Sequence, residues 1–304
     1  MLISKNLSST TDVPPEVQQL LQCATRLETP CGAGSLVWHV WTPAAGGETV
    51  SSLLVVSSPP PVVLLHGGSG SWTHWLHNID ALVQSGRRVL VPDLPGFGDS
   101  ATPLKGTDAD VSFEPVEQGL RLLVGDAACD LVGFSYGGMV AGFLAERFPA
   151  RAARVVLVGA PGLGVAPEKA IRLRAWRHIT DAGERDAVHC GNLAALMLYR
   201  PDAITALALR IHVANVLRDR MKGRSLSRTE VLARSLAAVI CPVHAIYGRE
   251  DALYRGKIEA LEAALQQAAQ FSGLTLIDEA GHWVQFERPD VFNTALIAIL
   301  NTAA

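Results

Sequence analysis

Gly133-Phe134-Ser135-Tyr136-Gly137 is the stretch whose reading decides the fold. It follows an apolar run ending Leu131-Val132 and leads into Gly138-Met139-Val140-Ala141-Gly142-Phe143-Leu144-Ala145, which has the makings of a buried helix. A Gly-x-Ser-x-Gly string alone is weak, because small residues gather in many turns and such a serine often only caps a helix. Between a strand and a helix it says more. A turn this tight needs backbone angles and close approaches that a Cβ forbids, and the flanking glycines supply them. The serine hydroxyl is then raised at the end of the strand, facing the first amides of the helix. That is how a nucleophile is presented.

A hydroxyl is a poor nucleophile at neutral pH, so Ser135 needs a base, and the base needs an acid to orient it. The chain has nine histidines. His39 alternates within an apparent strand, and His178, His189 and His212 fall in a helical, Arg-rich stretch. His282 differs: it follows the apolar run Leu274-Thr275-Leu276-Ile277 on the loop Asp278-Glu279-Ala280-Gly281-His282-Trp283. Loops of that kind gather at the carboxyl edge of open α/β sheets, where ligands bind. Asp251 in Tyr247-Gly248-Arg249-Glu250-Asp251 is the acid, with neighbouring Glu250 as the alternative. The order Ser135, Asp251, His282 is one of the chain orders in which this triad occurs.

Developing negative charge on the substrate calls for backbone donors. The amide of Tyr136 is one. The strand Pro61-Val62-Val63-Leu64-Leu65 runs into His66-Gly67-Gly68-Ser69-Gly70-Ser71-Trp72, whose small residues let the backbone approach a substrate oxygen, and Gly68 is the second donor, with Ser69 next. His66 is expected to brace this loop from beneath.

These motifs resemble the α/β-hydrolase-fold enzymes from about residue 36 to the C-terminus. The resemblance also rests on Asp93-Leu94-Pro95-Gly96-Phe97-Gly98-Asp99-Ser100 after the strand Arg88-Val89-Leu90-Val91. It implies a serine hydrolase that works through a Ser-His-Asp triad and an acyl-enzyme. Gly281-His282-Trp283-Val284-Gln285-Phe286-Glu287 is similar to the meta-cleavage-product hydrolases, which split carbon–carbon bonds of vinylogous diketones. That group usually has a longer glycine-proline oxyanion loop and an Asn before the nucleophile, where this chain has Phe134.

From Leu36 onward, β-rich runs (36–42, 50–56, 62–65, 88–92, 129–133, 154–159, 242–247 and 274–278) alternate with helical stretches. This alternation predicts a mostly parallel eight-stranded sheet flanked by helices. It breaks once, between Gly159-Ala160-Pro161-Gly162 and Cys241, where some helical patterns but no convincing strand occur. A bare loop of that length is rare, so the stretch is expected to be a helical cap inserted after strand 6. The expected organisation is an N-terminal extension over 1–34, a core over 35–162 and 236–304, and the cap over 163–235. Pro14-Pro15-Glu16 opens a short helix through Leu21, and Pro43 to Glu48 reads as a hairpin loop.

The 304 residues are 49% hydrophobic and 18% charged, with net charge −3, so a large core is expected and no basic stripe suggests nucleic acid. Five scattered cysteines without metal-ligand spacing, no signal-peptide pattern and no apolar run of about 18 residues point to a reduced, cytoplasmic protein without cofactor, metal or membrane contact. A homodimer stays open. Apolar cap residues such as Trp176, Leu196, Met197, Tyr199 and Leu217 predict a largely hydrophobic pocket. An inward arginine there would answer a substrate carboxylate; Arg218 or Arg220 fits best by helical phase with Asn215. Ser69, Trp283 and Arg218 are therefore the expected substrate-binding residues. The leading expectation is cleavage of a small to medium, largely apolar carboxylic ester. The alternatives are carbon–carbon bond hydrolysis of meta-cleavage products, and a ligand-binding protein with vestigial catalysis.

Overall fold

The computed structural model describes residues 13–43 and 59–302. Helix α1 (Pro15–Gln22) opens it, with its proline in the first turn, where no amide partner is needed. Eight strands follow: β1 (Thr25–Cys31), β2 (Gly34–Trp41), β3 (Val62–Leu65), β4 (Val89–Pro92), β5 (Cys129–Phe134), β6 (Ala152–Val158), β7 (Val243–Gly248) and β8 (Phe271–Ile277). They form one sheet in the order β1-β2-β4-β3-β5-β6-β7-β8. The pairings β1·β2 and β2·β4 are antiparallel and the rest are parallel.

The helices between and after the strands are α2 (Ile79–Gln84), α3 (Phe113–Val124), α4 (Tyr136–Arg147), α5 (Ala182–Asn192), α6 (Ala206–Leu217), α7 (Val231–Leu236), α8 (Ile258–Leu265), α9 (Val284–Glu287) and α10 (Pro289–Leu300). The pleat distributes side chains between two cores. Val63, Leu65, Leu131 and Leu157 pack against α3, α4 and α8 on one face. Val62, Leu64, Val132 and Val156 pack against α1, α2 and α10 on the other. A central strand covered on both faces has no use for a polar alternation, and each fully buried Val or Leu contributes about 1.5–3 kcal/mol. Asp130 is the exception in β5; it is fully buried and neutralised by Arg87 at 2.7 Å and Arg154 at 2.8 Å.

Among the described residues the sheet has eight strands, of which seven match expected runs and one does not. The strand expected over 50–56 lies outside the described residues, as does most of the hairpin loop expected from Pro43 to Glu48. The eighth strand is β1, inside the stretch assigned to an extension over 1–34. It is an edge strand whose outward residues Arg26 and Glu28 are exposed, and Pro30 sits where an edge tolerates a missing donor. Between β6 and β7 the described residues hold no strand, only α5, α6, α7 and short turns. Of these, α7 packs on α4: Leu232 closes over Gly142 and Gly162, so it is continuous with the core although the expected cap ran to residue 235.

Candidate active site

Strand β5 ends at Phe134 and α4 begins at Tyr136, leaving a single residue to make the turn. That residue, Ser135, has φ 51° and ψ −116°, a conformation that costs a non-glycine residue about 1–3 kcal/mol. The glycines around it have no freedom to change. A Cβ on Gly133 would overlap the Gly137 carbonyl, and one on Gly137 would overlap the carbonyl of Leu65 in β3. The amide of Ser135 donates to Val158 O at 2.7 Å, tying the turn to β6.

His282 Nε2 lies 3.0 Å from Ser135 Oγ, and His282 Nδ1 lies 2.9 Å from Asp251 Oδ2. A carboxylate only accepts, so Nδ1 carries the proton and Nε2 is left to accept from the serine hydroxyl. Asp251 is fully buried, and its other oxygen accepts the Leu253 amide at 2.9 Å, which fixes the carboxylate plane. Glu250, the alternative acid, instead lies 3.9 Å from Arg255. Beneath the pair is Gly159, at φ +54°, where a Cβ would stand 3.1 Å from His282 Nδ1 and 3.2 Å from Asp251 Oδ2. The hydroxyls of Tyr247 and Tyr254 both donate to the next carbonyl, Ala160 O, at 2.9 and 2.7 Å, and so hold that floor in place. A hydroxyl, a neutral imidazole and a buried carboxylate in this line can move a proton off the serine as it attacks a carbonyl.

The Gly67–Ser71 loop faces α4 across the serine. A Cβ on Gly68 would come 3.7 Å from the Cβ of Tyr136, which places these two backbone positions side by side. Tyr136 is the first residue of α4, and helices leave their first amides without an internal acceptor. His66 is fully buried below the loop. Its Nδ1 donates to Gly67 O at 2.8 Å and its Nε2 accepts the Leu94 amide at 2.8 Å, while burial pushes its pKa down. It is a neutral brace. His74 was not singled out in the sequence. Its Nδ1 accepts the Gly67 amide at 3.2 Å, which leaves the N–H on Nε2, and burial holds its pKa well below the usual value.

A cavity of about 630 Å³ opens beside Gly68, Ser69 and His74, between the loop and the cap. Trp176, Leu196, Met197 and Val216 give it apolar walls, and Arg174, Arg177 and Lys222 also line it.

The three expected substrate-binding residues fare differently. Ser69 lines the cavity, but its hydroxyl is committed to Asp219 of the cap. Trp283 does not line it. The ring is fully buried, stacked on Phe286 at 4.0 Å, with its Nε1 donating to His74 O at 3.0 Å; it is core. Arg218 points away and pairs with exposed Asp99 at 2.9 Å. Arg220 donates to the carbonyls of Phe97, Gly98 and Ser100. The inward arginine is Arg224, whose guanidinium lies over the rings of Phe97 and Tyr136 at 5.2 and 5.9 Å. Helical phase misled here because α6 ends at Leu217, so positions 218–224 follow an irregular path.

Comparison with known proteins finds similar hydrolases. The chain is 26% identical over 254 residues to a 2-hydroxy-6-oxo-6-phenylhexa-2,4-dienoate hydrolase of Burkholderia cepacia, covering 78% of this chain and 86% of that one. It is 25% identical over 250 residues to a 2-hydroxy-6-oxononadienedioate/2-hydroxy-6-oxononatrienedioate hydrolase of Comamonas testosteroni, covering 78% and 86%. Among solved structures, an esterase from Rhodococcus sp. ECU1013 superimposes with TM-score 0.71 at 21% identity, covering 92% and 99% of the two chains. A meta-cleavage product hydrolase from Pseudomonas fluorescens IP01 gives 0.68 at 21% identity, covering 93% and 100%. Residues 62–295 match the alpha/beta hydrolase family, with its eight-stranded sheet and flanking helices, and the chain belongs to that family.

Proposed function

We propose that the protein hydrolyses a carbon–carbon bond next to a carbonyl in a 2-hydroxy-6-oxo-dienoate, the class named in its curated relatives. The observation that carries the reading is the unbroken line from Ser135 Oγ through His282 to Asp251, at 3.0 and 2.9 Å. The cavity supports it: apolar walls suit an unsaturated carbon body, and Arg174, Arg177 and Lys222 suit its carboxylate. This replaces ester cleavage as the leading reading, because most of the similar curated sequences are named for dienoates, although one, at 30% identity, is an acetyltransferase component of an acetoin cleaving system.

His282 takes the Ser135 proton while Asp251 keeps the imidazole in its productive tautomer. Ser135 Oγ bonds to the carbonyl carbon, and the amides of Gly68 and Tyr136 hold the oxyanion. Once the substrate's 2-hydroxyl proton has moved to the carbon beside the attacked carbonyl, giving the keto tautomer, the carbon–carbon bond breaks and its electron pair passes into the conjugated enone, which leaves as a dienolate. His282 returns the proton to that fragment, and water releases the acyl group from Ser135. General-base help is worth about 10²–10⁴-fold and each oxyanion donor about 10²–10³-fold.

Ester hydrolysis is the second reading, and Phe134 favours it. Its ring lies 5.0 Å from the His282 ring and offers no hydrogen bond to a dienolate. The test compares kcat/KM for a coloured ring-fission dienoate with that for p-nitrophenyl acetate, each with Ser135→Ala as blank. The dienoate is expected to win by at least about 100-fold, equivalent to about 2.7 kcal/mol of transition-state binding. Ester turnover without dienoate turnover overturns the proposal in favour of the esterase.

A further inference from the structure

Asp219 and Arg224 lie in the cap, yet their side chains end on the loop that carries Gly68. The Ser69 hydroxyl donates to Asp219 Oδ2 and accepts from Arg224 Nη2 at 3.0 Å, and Arg224 Nη2 donates to the same Asp219 oxygen at 3.0 Å. Arg224 Nη1 reaches the other oxygen at 3.2 Å, which also accepts the Met221 amide at 2.9 Å. The three side chains form a closed, charge-assisted triangle, the stronger kind of hydrogen-bond network. Its cap side is itself anchored, because the Arg220 amide donates to Gly96 O at 3.0 Å and the Arg220 guanidinium to the carbonyls beyond it.

The grip falls on a strained residue. Ser69 has φ +52°, one of three non-glycine residues with positive φ among the described residues, and another is Ser135. A serine held in the left-handed region by nothing but its own preference would relax. Relaxation here would turn the peptide between Gly68 and Ser69 and so disturb the backbone path that sets the Gly68 amide beside α4. Arg224 is paired with Asp219, so no substrate carboxylate is needed to explain its partial burial.

We propose that Asp219 and Arg224 are positioning residues: through the Ser69 hydroxyl they hold the oxyanion loop in its working conformation, so the donor geometry is set by the cap. The proposal rests on the reading of Gly68 as an oxyanion donor. The cap thereby does more than wall off a pocket.

The test measures the second-order rate at which a fluorophosphonate labels Ser135, alongside steady-state turnover and thermal melting. Ser69→Ala and Asp219→Asn are each expected to slow labelling about 10- to 100-fold, less than the roughly 10²–10³-fold of a donor removed outright because the Gly68 amide is displaced and not deleted, and to lower kcat with KM and melting temperature nearly unchanged. Because both act through one link, the double variant is expected to be no slower than the slower single variant. Arg224→Lys keeps a cation beside Asp219 without the fork and is expected to fall between wild type and the others. Wild-type rates in both single variants, or losses that multiply in the double, overturn the clamp. If Asp219→Asn does not fold, Ser69→Ala decides alone. Absence of labelling in the wild type overturns the functional reading instead, and the catalytic role of the clamp falls with it.

Discussion

Two loops converge on Ser135, and the cap holds them by different means. The His282 loop is held through Glu287, whose buried carboxylate accepts the Gly281 amide at 2.7 Å, the Tyr199 amide at 3.1 Å and the Arg200 amide at 2.6 Å. The neighbouring Trp283 amide donates to Met197 O at 2.7 Å, and a Cβ on Gly281 would press on the backbone of Leu198 and Tyr199. The Gly68 loop is held side chain to side chain, by Asp219 and Arg224 on Ser69, with Arg224 about a quarter exposed. One attachment is backbone, buried and crowded; the other is polar and reachable by water. The first should therefore cost stability when broken, and the second should cost rate.

Glu287→Ala breaks the first attachment and carries the largest expected effect. Three amides lose their acceptor in a site with 8% exposure, and at about 1–2 kcal/mol each for an unsatisfied buried donor the loss is about 4 kcal/mol. Urea unfolding is expected to show that loss, with turnover falling as His282 drifts from Ser135. Glu287→Gln keeps one oxygen and should recover part of both. An unchanged unfolding midpoint for Glu287→Ala would mean that the loop stands without the cap.

Neither attachment was legible in the sequence, although the triad was, and the difference is physical. Ser135 sits in a turn so tight that Gly133 and Gly137 are forced, and forced residues leave a written pattern. Asp251 and His282 each follow an apolar run at the edge where ligands gather, so residue type and place agree. Glu287 and Asp219 act on partners about 87 and 150 residues away, and a carboxylate bound to remote amides looks like any surface carboxylate in the chain. In the sequence Glu287 is marked only as the last residue of the stretch Gly281–Glu287 that is similar to the meta-cleavage-product hydrolases. His74 was hidden for the same reason, since its significance lies in which of its nitrogens accepts Gly67 N–H. Strand β1 was missed because an edge strand keeps its polar residues and so writes little hydrophobic pattern.

Acid extends the comparison from contacts to charge. His39 in β2 is buried between Trp41 and Trp72, and burial pushes its pKa from 6.5 down to about 4. His212 lines the cavity at the cap and is also pushed down to about 4, by burial and by His189 beside it. A histidine depressed in the folded state gives its full stability above pH 6.5 and loses it as pH falls toward 4, because only the unfolded chain takes the proton readily. For the core histidine the loss approaches about 3 kcal/mol. His39→Phe is expected to remove that share of the decline in melting temperature between pH 6.5 and 4. His212→Phe should remove less, since its half-buried ring can meet water through the cavity. Equal effects would mean that the cap is as closed as the sheet.

The smallest expected effect comes from the residue next to Asp219. Arg218 also joins cap to core, donating to Asp99 at 2.9 Å, and by residue type and spacing it looks as well placed as its neighbours. Its side chain is 36% exposed and that of Asp99 is 51% exposed. An exposed pair in high dielectric gives back in lost side-chain freedom most of what it gains, so Arg218→Ala is expected to shift stability by no more than about 0.5 kcal/mol. Labelling of Ser135 should proceed at the wild-type rate, because no contact of Arg218 reaches the Gly68 loop. Were this variant as slow as Asp219→Asn, any cap-to-core link would serve the oxyanion loop, and the distinction drawn between a general fastening and a specific grip on Ser69 would collapse.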